Sequence, residues 1–198
     1  AAARANYRPS NEAAIRECFS LIEQGADAIH MVPGLERVRA VAQMKIPVFS
    51  HVGFCPDFMS WTGGYRAVGK TADEAMQVYR ETLQIQDAGA VGVEMEVVPE
   101  KIAAEIAKRV EIHVSSLGSG SGCDSEMLFA IDMLGTHNKH YPRHAKRYRN
   151  YFQDSVEVFR QFRQEVEDGI FPTEEHTVRI KDDEFDKFMS QVDKGKWA

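Results

Sequence analysis

Two phrases of the chain, QGADAIHMV (residues 24–32) and DAGAVGVEMEVV (87–98), share one grammar: the end of a helix, a glycine, an alanine, then a short apolar strand. The same alternation runs through most of the sequence. NEAAIRECFSLIEQG carries apolar residues at helical spacing and stops at Gly25. ADAIHMV reads as a strand, GLERVRAVAQM as a helix and IPVFSHVG as a strand. After a longer connection, TADE is a capping box with Thr71 as N-cap and Glu74 reaching back, opening the helix ADEAMQVYRETLQIQDAG. The next strand contains AVGVEMEVV, PEKIAAEIAKRV is a helix opened by Pro99, and EIHVSSLGSG is a strand. Helices alternating with short strands predict parallel strands joined by helical crossovers. Such a sheet is either open or closed into a barrel, and in both cases functional groups gather at strand C-terminal ends.

The rest of the chain gives weaker signals. EMLFAIDMLG fits a strand or a buried helix equally. YPRHAKRYRNYF is basic and aromatic, and DSVEVFRQFRQEVEDG is a long helix. From about residue 178 to 198 the sequence is polar and is expected to lie on the surface of a single domain spanning 1–198. At 198 residues the chain can enclose a sizeable core. A net charge of −6 argues against a nucleic-acid or anionic-membrane partner, and no apolar run approaches a membrane span. Cys18, Cys55 and Cys123 are scattered and odd in number, which suggests neither a disulfide framework nor a zinc site. With no signal-peptide pattern at the start, a cytoplasmic location is expected.

Glu94 and Glu96 stand two residues apart in a strand of apolar character, so both carboxylates should share one face. A buried carboxylate must be paired, metal-bound or protonated. Burial raises its pKa toward that of a general base working near neutrality, and Glu94 one layer deeper would raise Glu96 further. The bland alternative is a pair of acids bonded to Arg or Lys of neighbouring strands. His51 lies near the C-terminal end of IPVFSHVG and His30 holds a comparable place in ADAIHMV. Each is a candidate pocket residue, against the alternative of a hydrogen-bonded core histidine. His137, His140 and His144 fall in a basic, helix-like segment and are expected to be solvated. GYRAVGKT (64–71) matches the phosphate-loop pattern through Gly64, Gly69, Lys70 and Thr71. The preceding strand ends about ten residues too early, so the expectation is a capped helix and a shaped loop. LGSGSGCD (117–124) lacks the dinucleotide fingerprint and reads as a turn or a close approach to a ligand.

Taken in order, GADAIHMVPG, IPVFSHVGFCP, GGYRAVGKT, DAGAVGVEMEVVP, GSGSGCDSEMLFAIDMLG, YPRHAKRY and FPTEEH resemble the ketopantoate hydroxymethyltransferase family. The resemblance runs from about residue 7 to residue 177. It implies a (β/α)8 TIM barrel of the phosphoenolpyruvate mutase and isocitrate lyase type. It also implies transfer of a hydroxymethyl group from 5,10-methylenetetrahydrofolate to 3-methyl-2-oxobutanoate, a 2-oxo acid, with Mg2+ holding the keto acid. The family's L-E-C-V-P motif reads MEVVP here, so the proton-abstracting glutamate corresponds to Glu96. His51 matches the family histidine of H-x-G-x-x-P, expected to contact substrate.

The departures are specific. The substrate-contacting lysine of K-x-E corresponds to His30, and the metal-associated glutamate of that motif to Val32. G-I-G-A-G reads SLGSG with Ser116 for a glycine, the histidine before D-M-L-G is Ile131, and Thr173 replaces the glycine of F-P-G-E-E-H. Glu94 stands where the family has an apolar residue. The family barrel begins with about three further strands that carry two metal-binding aspartates, and no metal ligand is identified in this chain. The expectation is therefore a barrel incomplete at its N-terminus. Either a further segment precedes this sequence, or the leading alanines stand in for it, or the protein is truncated or diverged. Besides the transferase, two alternatives follow: a lyase or hydrolase acting on another 2-oxo acid, and a catalytically silent binding subunit. The family resemblance also implies a homo-oligomer.

Overall fold

A computed structural model describes residues 9–32 and 34–195. The chain divides into two compact units, one of residues up to 133 together with 139–147, the other of 134–138 with 148 onward. In the first unit, α1 (Asn11–Glu23) is capped by Ser10, whose hydroxyl accepts from the Ala13 N–H at 3.1 Å. Then follow β1 (Ile29–His30), α2 (Leu35–Gln43), β2 (Val48–Gly53) and the short α3 (Met59–Thr62). The order continues with α4 (Ala72–Asp87), β3 (Gly92–Glu96), α5 (Glu100–Ala107), β4 (His113–Leu117) and β5 (Ser125–Glu126). α6 (Ala130–Leu134) comes next. EMLFAIDMLG, ambiguous in sequence, thus opens on the last residue of β5 and then carries a short helix. The second unit carries α7 (Tyr151–Glu167) and α8 (Asp182–Asp193). The polar stretch after residue 178 is therefore largely helical, opened by three acids, Asp182, Asp183 and Glu184, that suit a helix N-terminus.

All five strands are parallel, in the order β1-β2-β3-β4-β5. A doubly wound sheet reverses its strand order part-way, whereas a barrel wall never does. Sequential order is thus the barrel's arrangement, seen over five parallel strands of α/β architecture. The helices that pack on the strands also touch each other in succession, α1 on α2, α2 on α4 and α4 on α5, so they form one layer on one face.

The pleat then divides the residues. Ile29, Met31, Val48, Val52, Val93, Met95 and Val114 point toward the helices and are fully or almost fully buried with Val38, Val41, Val78, Ile85, Ala103 and Ile106. Removing each large side chain of this set from water stabilises the fold by roughly 1.5–3 kcal/mol. The register places His30 beside Phe49, His51 beside Glu94, Glu94 beside Ser115, and Gly53 beside Glu96. These residues occupy the opposite, helix-free face.

Candidate functional site

On that face the strands line a cleft of about 530 Å³. Its wall includes His30, His51, Asp57, Glu94, Glu96 and Phe129. Glu94 is 4% exposed and Glu96 7%, so both acids, on one face as the alternation predicts, are buried. Neither is bonded to a lysine or arginine of a neighbouring strand, since the described lining residues include none. Their neighbours are imidazoles. His30 Nε2 lies 3.0 Å from Glu94 Oε2, and His51 Nε2 lies 3.4 Å from Glu96 Oε2. The two rings meet edge-on with centroids 6.0 Å apart.

Burial pushes the Glu96 carboxyl up to about 8, with the Glu94 charge adding to it. Burial also lowers the His51 pKa, outweighing the opposing pull of Glu94. His51 Nε2 lies 2.7 Å from the Phe54 carbonyl oxygen. A carbonyl only accepts, so Nε2 carries the proton and Nδ1 keeps its lone pair. His30 differs: its buried Nε2 is close to Glu94 yet makes no hydrogen bond. Among the described residues, His30, His51 and Glu94 also form a group whose ligand atoms all lie within 4.8 Å of one another.

The backbone after Glu96 is held on three sides. The Phe54 N–H donates to the Glu96 carbonyl at 2.8 Å, and the Val97 N–H to the Leu117 carbonyl at 2.9 Å. The Val98 N–H donates to Ser119 Oγ at 2.9 Å, while that hydroxyl donates to the Met95 carbonyl at 2.8 Å. This clamp maintains Val97 at φ 52°, a left-handed conformation that a β-branched residue rarely adopts and that costs about 1–3 kcal/mol. Gly53 closes the opposite side. At φ 88° it lies so near β3 that a Cβ there would press on the Glu96 carbonyl and come within 2.7 Å of Val98 Cγ2.

Glu96 also lines a second cleft of about 610 Å³, whose wall includes Tyr65, Arg66, Lys139, His140, Arg143 and His144. One acid thus separates an acidic cleft from a basic one. The histidine-bearing segment that contributes here is not helical, and His137 and His144 are half-buried rather than solvated. Sequence reading singled out Glu96, His51 and His30, and the structure brings all three to one cleft. It missed Ser119 and Gly53, which position the strand, although both stand in glycine-bearing turns at strand C-terminal ends.

GYRAVGKT is not a phosphate cradle. Thr71 caps α4 by accepting from the Glu74 N–H at 3.2 Å, as the capping box predicts. Glu74 Oε2 accepts from the Gly69 and Lys70 N–H groups at 3.1 and 3.0 Å, and Arg66 pairs with the same carboxylate. The amides that would face a phosphate are already taken by the chain's own carboxylate.

Residues 4–174 match the family model described as ketopantoate hydroxymethyltransferase. Similar curated proteins are named 3-methyl-2-oxobutanoate hydroxymethyltransferase. That of Methylibium petroleiphilum is 33% identical over 96% of this chain and 65% of its own length. That of Nitrosopumilus maritimus is 33% identical over 94% of the chain and 68% of its own, and that of Thermotoga neapolitana 35% over 89% and 66%. The chain spans about two thirds of the length of these relatives. Among solved structures, a phosphonopyruvate hydrolase aligns with TM-score 0.46 and 12% identity over 93% of this chain and 67% of that one.

Proposed function

Because the chain belongs to the ketopantoate hydroxymethyltransferase family, we propose that it serves hydroxymethyl transfer from 5,10-methylenetetrahydrofolate to 3-methyl-2-oxobutanoate, with Glu96 as the base. The observation that carries this reading is the place of Glu96, buried at the end of β3 and shared by two clefts of opposite character. A 2-oxo acid in the first cleft would present the carbon beside its keto group to the Glu96 carboxylate. That oxygen takes the proton, and the electron pair moves into the enolate, whose carbon bonds to the one-carbon unit as its C–N bonds to the folate break, tetrahydrofolate leaves and water supplies the hydroxyl oxygen. Lys139 and Arg143 in the second cleft, beside Arg66 paired with Glu74, suit a co-substrate bearing carboxylates, as a folate does. His51, with Nε2–H committed to the Phe54 carbonyl, would line the substrate cavity as a neutral ring beside Glu96. His30, exposed more than its neighbours, would contact substrate from β1.

The Mg2+ that the family resemblance implies does not fit the described donors. Mg2+ takes near-octahedral oxygen ligands. The group found here offers two imidazole nitrogens and one carboxylate, and Val32 supplies no ligand atom. No described helix is long and apolar enough to cross a membrane. Cytoplasmic residence and a homo-oligomer complete the proposal. The oligomer is supported by an exposed apolar stripe of α7, Phe159, Phe162 and Val166.

The test is deuterium exchange at C3 of 3-methyl-2-oxobutanoate in D2O, followed by NMR. Exchange that disappears in Glu96→Gln is the expected result. Exchange that survives the substitution, or none from the folded wild-type protein, rejects Glu96 as the enolising base. The His30–Glu94 pair favours a second reading, a lyase or hydrolase acting on another 2-oxo acid. Exchange without hydroxymethyl transfer would favour it, whereas ligand binding with neither would indicate a silent binding subunit.

A further inference from the structure

We propose that His30, His51 and Glu94 bind a divalent first-row transition ion of the Zn2+ or Co2+ kind. One ring nitrogen from each histidine and one Glu94 oxygen lie within 4.8 Å of one another, close enough for one ion to be reached by all three with small side-chain adjustments. Two imidazoles and a carboxylate are the donor set that borderline ions prefer over Mg2+. Three further observations point to a cation here. His30 Nε2 is a buried polar atom without a hydrogen bond, although it stands 3.0 Å from Glu94. His51 donates one ring N–H to a backbone carbonyl, the outer bond that fixes metal-binding imidazoles in one tautomer with the other nitrogen free. Finally, the cleft gathers Asp57, Glu94 and Glu96 with no lysine or arginine among its described lining residues. Glu94 has no lysine or arginine beside it among these lining residues, and a bound dication would offset its charge.

Each donor comes from a different strand: β1, β2 and β3. The site therefore exists only in the folded sheet, and the ion would tie the three strands together on their helix-free face. Three protein donors leave positions open for solvent or ligand. Resting on the proposed transfer reaction, those positions would accept the carboxylate and keto oxygens of a 2-oxo acid, within reach of Glu96. Binding of the ion itself needs no substrate and is read without one.

The test is a titration of the chelator-treated protein with Co2+, followed by its visible d–d absorption, then competition with Zn2+ and Mg2+. One saturable equivalent is expected, displaced by Zn2+ and untouched by millimolar Mg2+. Glu94→Gln and His30→Ala should each weaken binding by roughly a hundredfold or more, since a lost ligand exceeds the 10–100-fold cost of a lost outer-shell partner. X-ray absorption of the Zn2+-loaded wild-type protein should show imidazole nitrogens at about 2.0–2.1 Å. This second measurement stands even if a variant fails to fold. The proposal is overturned by any of three results: no saturable Co2+ site, equal competition by Mg2+, or a zinc shell containing sulfur or lacking imidazole. Deuterium exchange by a protein that binds no Co2+ would sink the metal site and leave the transferase reading standing.

Discussion

Replacing Gly53 by alanine separates two costs that usually arrive together. Gly53 and Gly25 have nearly the same positive φ, 88° and 93°. A Cβ at Gly25 meets nothing within 4 Å, whereas one at Gly53 drives into the Glu96 carbonyl and approaches Val98 Cγ2 to 2.7 Å. The left-handed backbone costs an L-residue about 1–2 kcal/mol. Loss of unfolded-state freedom returns about 0.4–1 kcal/mol of that. Gly25→Ala should therefore destabilise by about 1 kcal/mol. Gly53→Ala adds overpacking of roughly 1–3 kcal/mol, because the obstacle is strand backbone rather than a flexible side-chain tip. Its total should reach about 2–4 kcal/mol. Urea denaturation of both variants measures the difference, and deuterium exchange at C3 of the keto acid reads whether the Glu96 backbone has moved. Equal destabilisation of the two variants, within about 0.5 kcal/mol, would refute the steric argument. A stable Gly53→Ala protein with reduced exchange would show that β3 yields instead of resisting.

Two further outcomes follow from hydrogen bonds at the site's margins. Ser119→Ala removes the acceptor of the buried Val98 N–H and should cost about 1–3 kcal/mol in urea denaturation; a change near zero would mean that Val98 finds another partner. The Lys70 N–H, with help from Arg66, holds the Glu74 carboxyl below its usual range. Its stabilisation is therefore present above the unfolded value of 4.5 and lost as pH falls through the lower folded value. Glu74→Gln should be less stable than wild type at pH 7, with the gap closing in acid. A gap that persists at pH 2 would point to lost packing rather than lost charge.

The strands and helices of the first unit are legible in sequence because their apolar periods are local. So is the shared face of Glu94 and Glu96, which follows from alternation alone. What joins Glu94 to His30 and His51 is strand neighbourhood, and no local pattern states which strand lies beside which. His30 and His51 each read as a single ambiguous histidine until strand order and register placed both on the same side of Glu94, His51 directly beside it and His30 one strand further. Glu74 shows the opposite case. The sequence revealed the capping box, but not that its carboxylate would occupy the Gly69 and Lys70 amides and so close the apparent phosphate loop. α8 was hidden by its polar composition, since charge alone does not distinguish an exposed helix from coil.

The pleat of β3 assigns Gly92, Glu94 and Glu96 to the cleft and Val93 and Met95 to the helices. Odd and even positions thus live under separate selection. Substitution at an even position can exchange one chemistry for another while the packed layer behind it is untouched, and the reverse holds for repacking. A single-residue insertion ahead of Glu94 obeys neither rule: it would turn both acids into the apolar layer and Met95 into the cleft. Drift in this segment is therefore tolerant of replacement and intolerant of changed length, so variants that diversify the reaction should keep β3 at constant residue count.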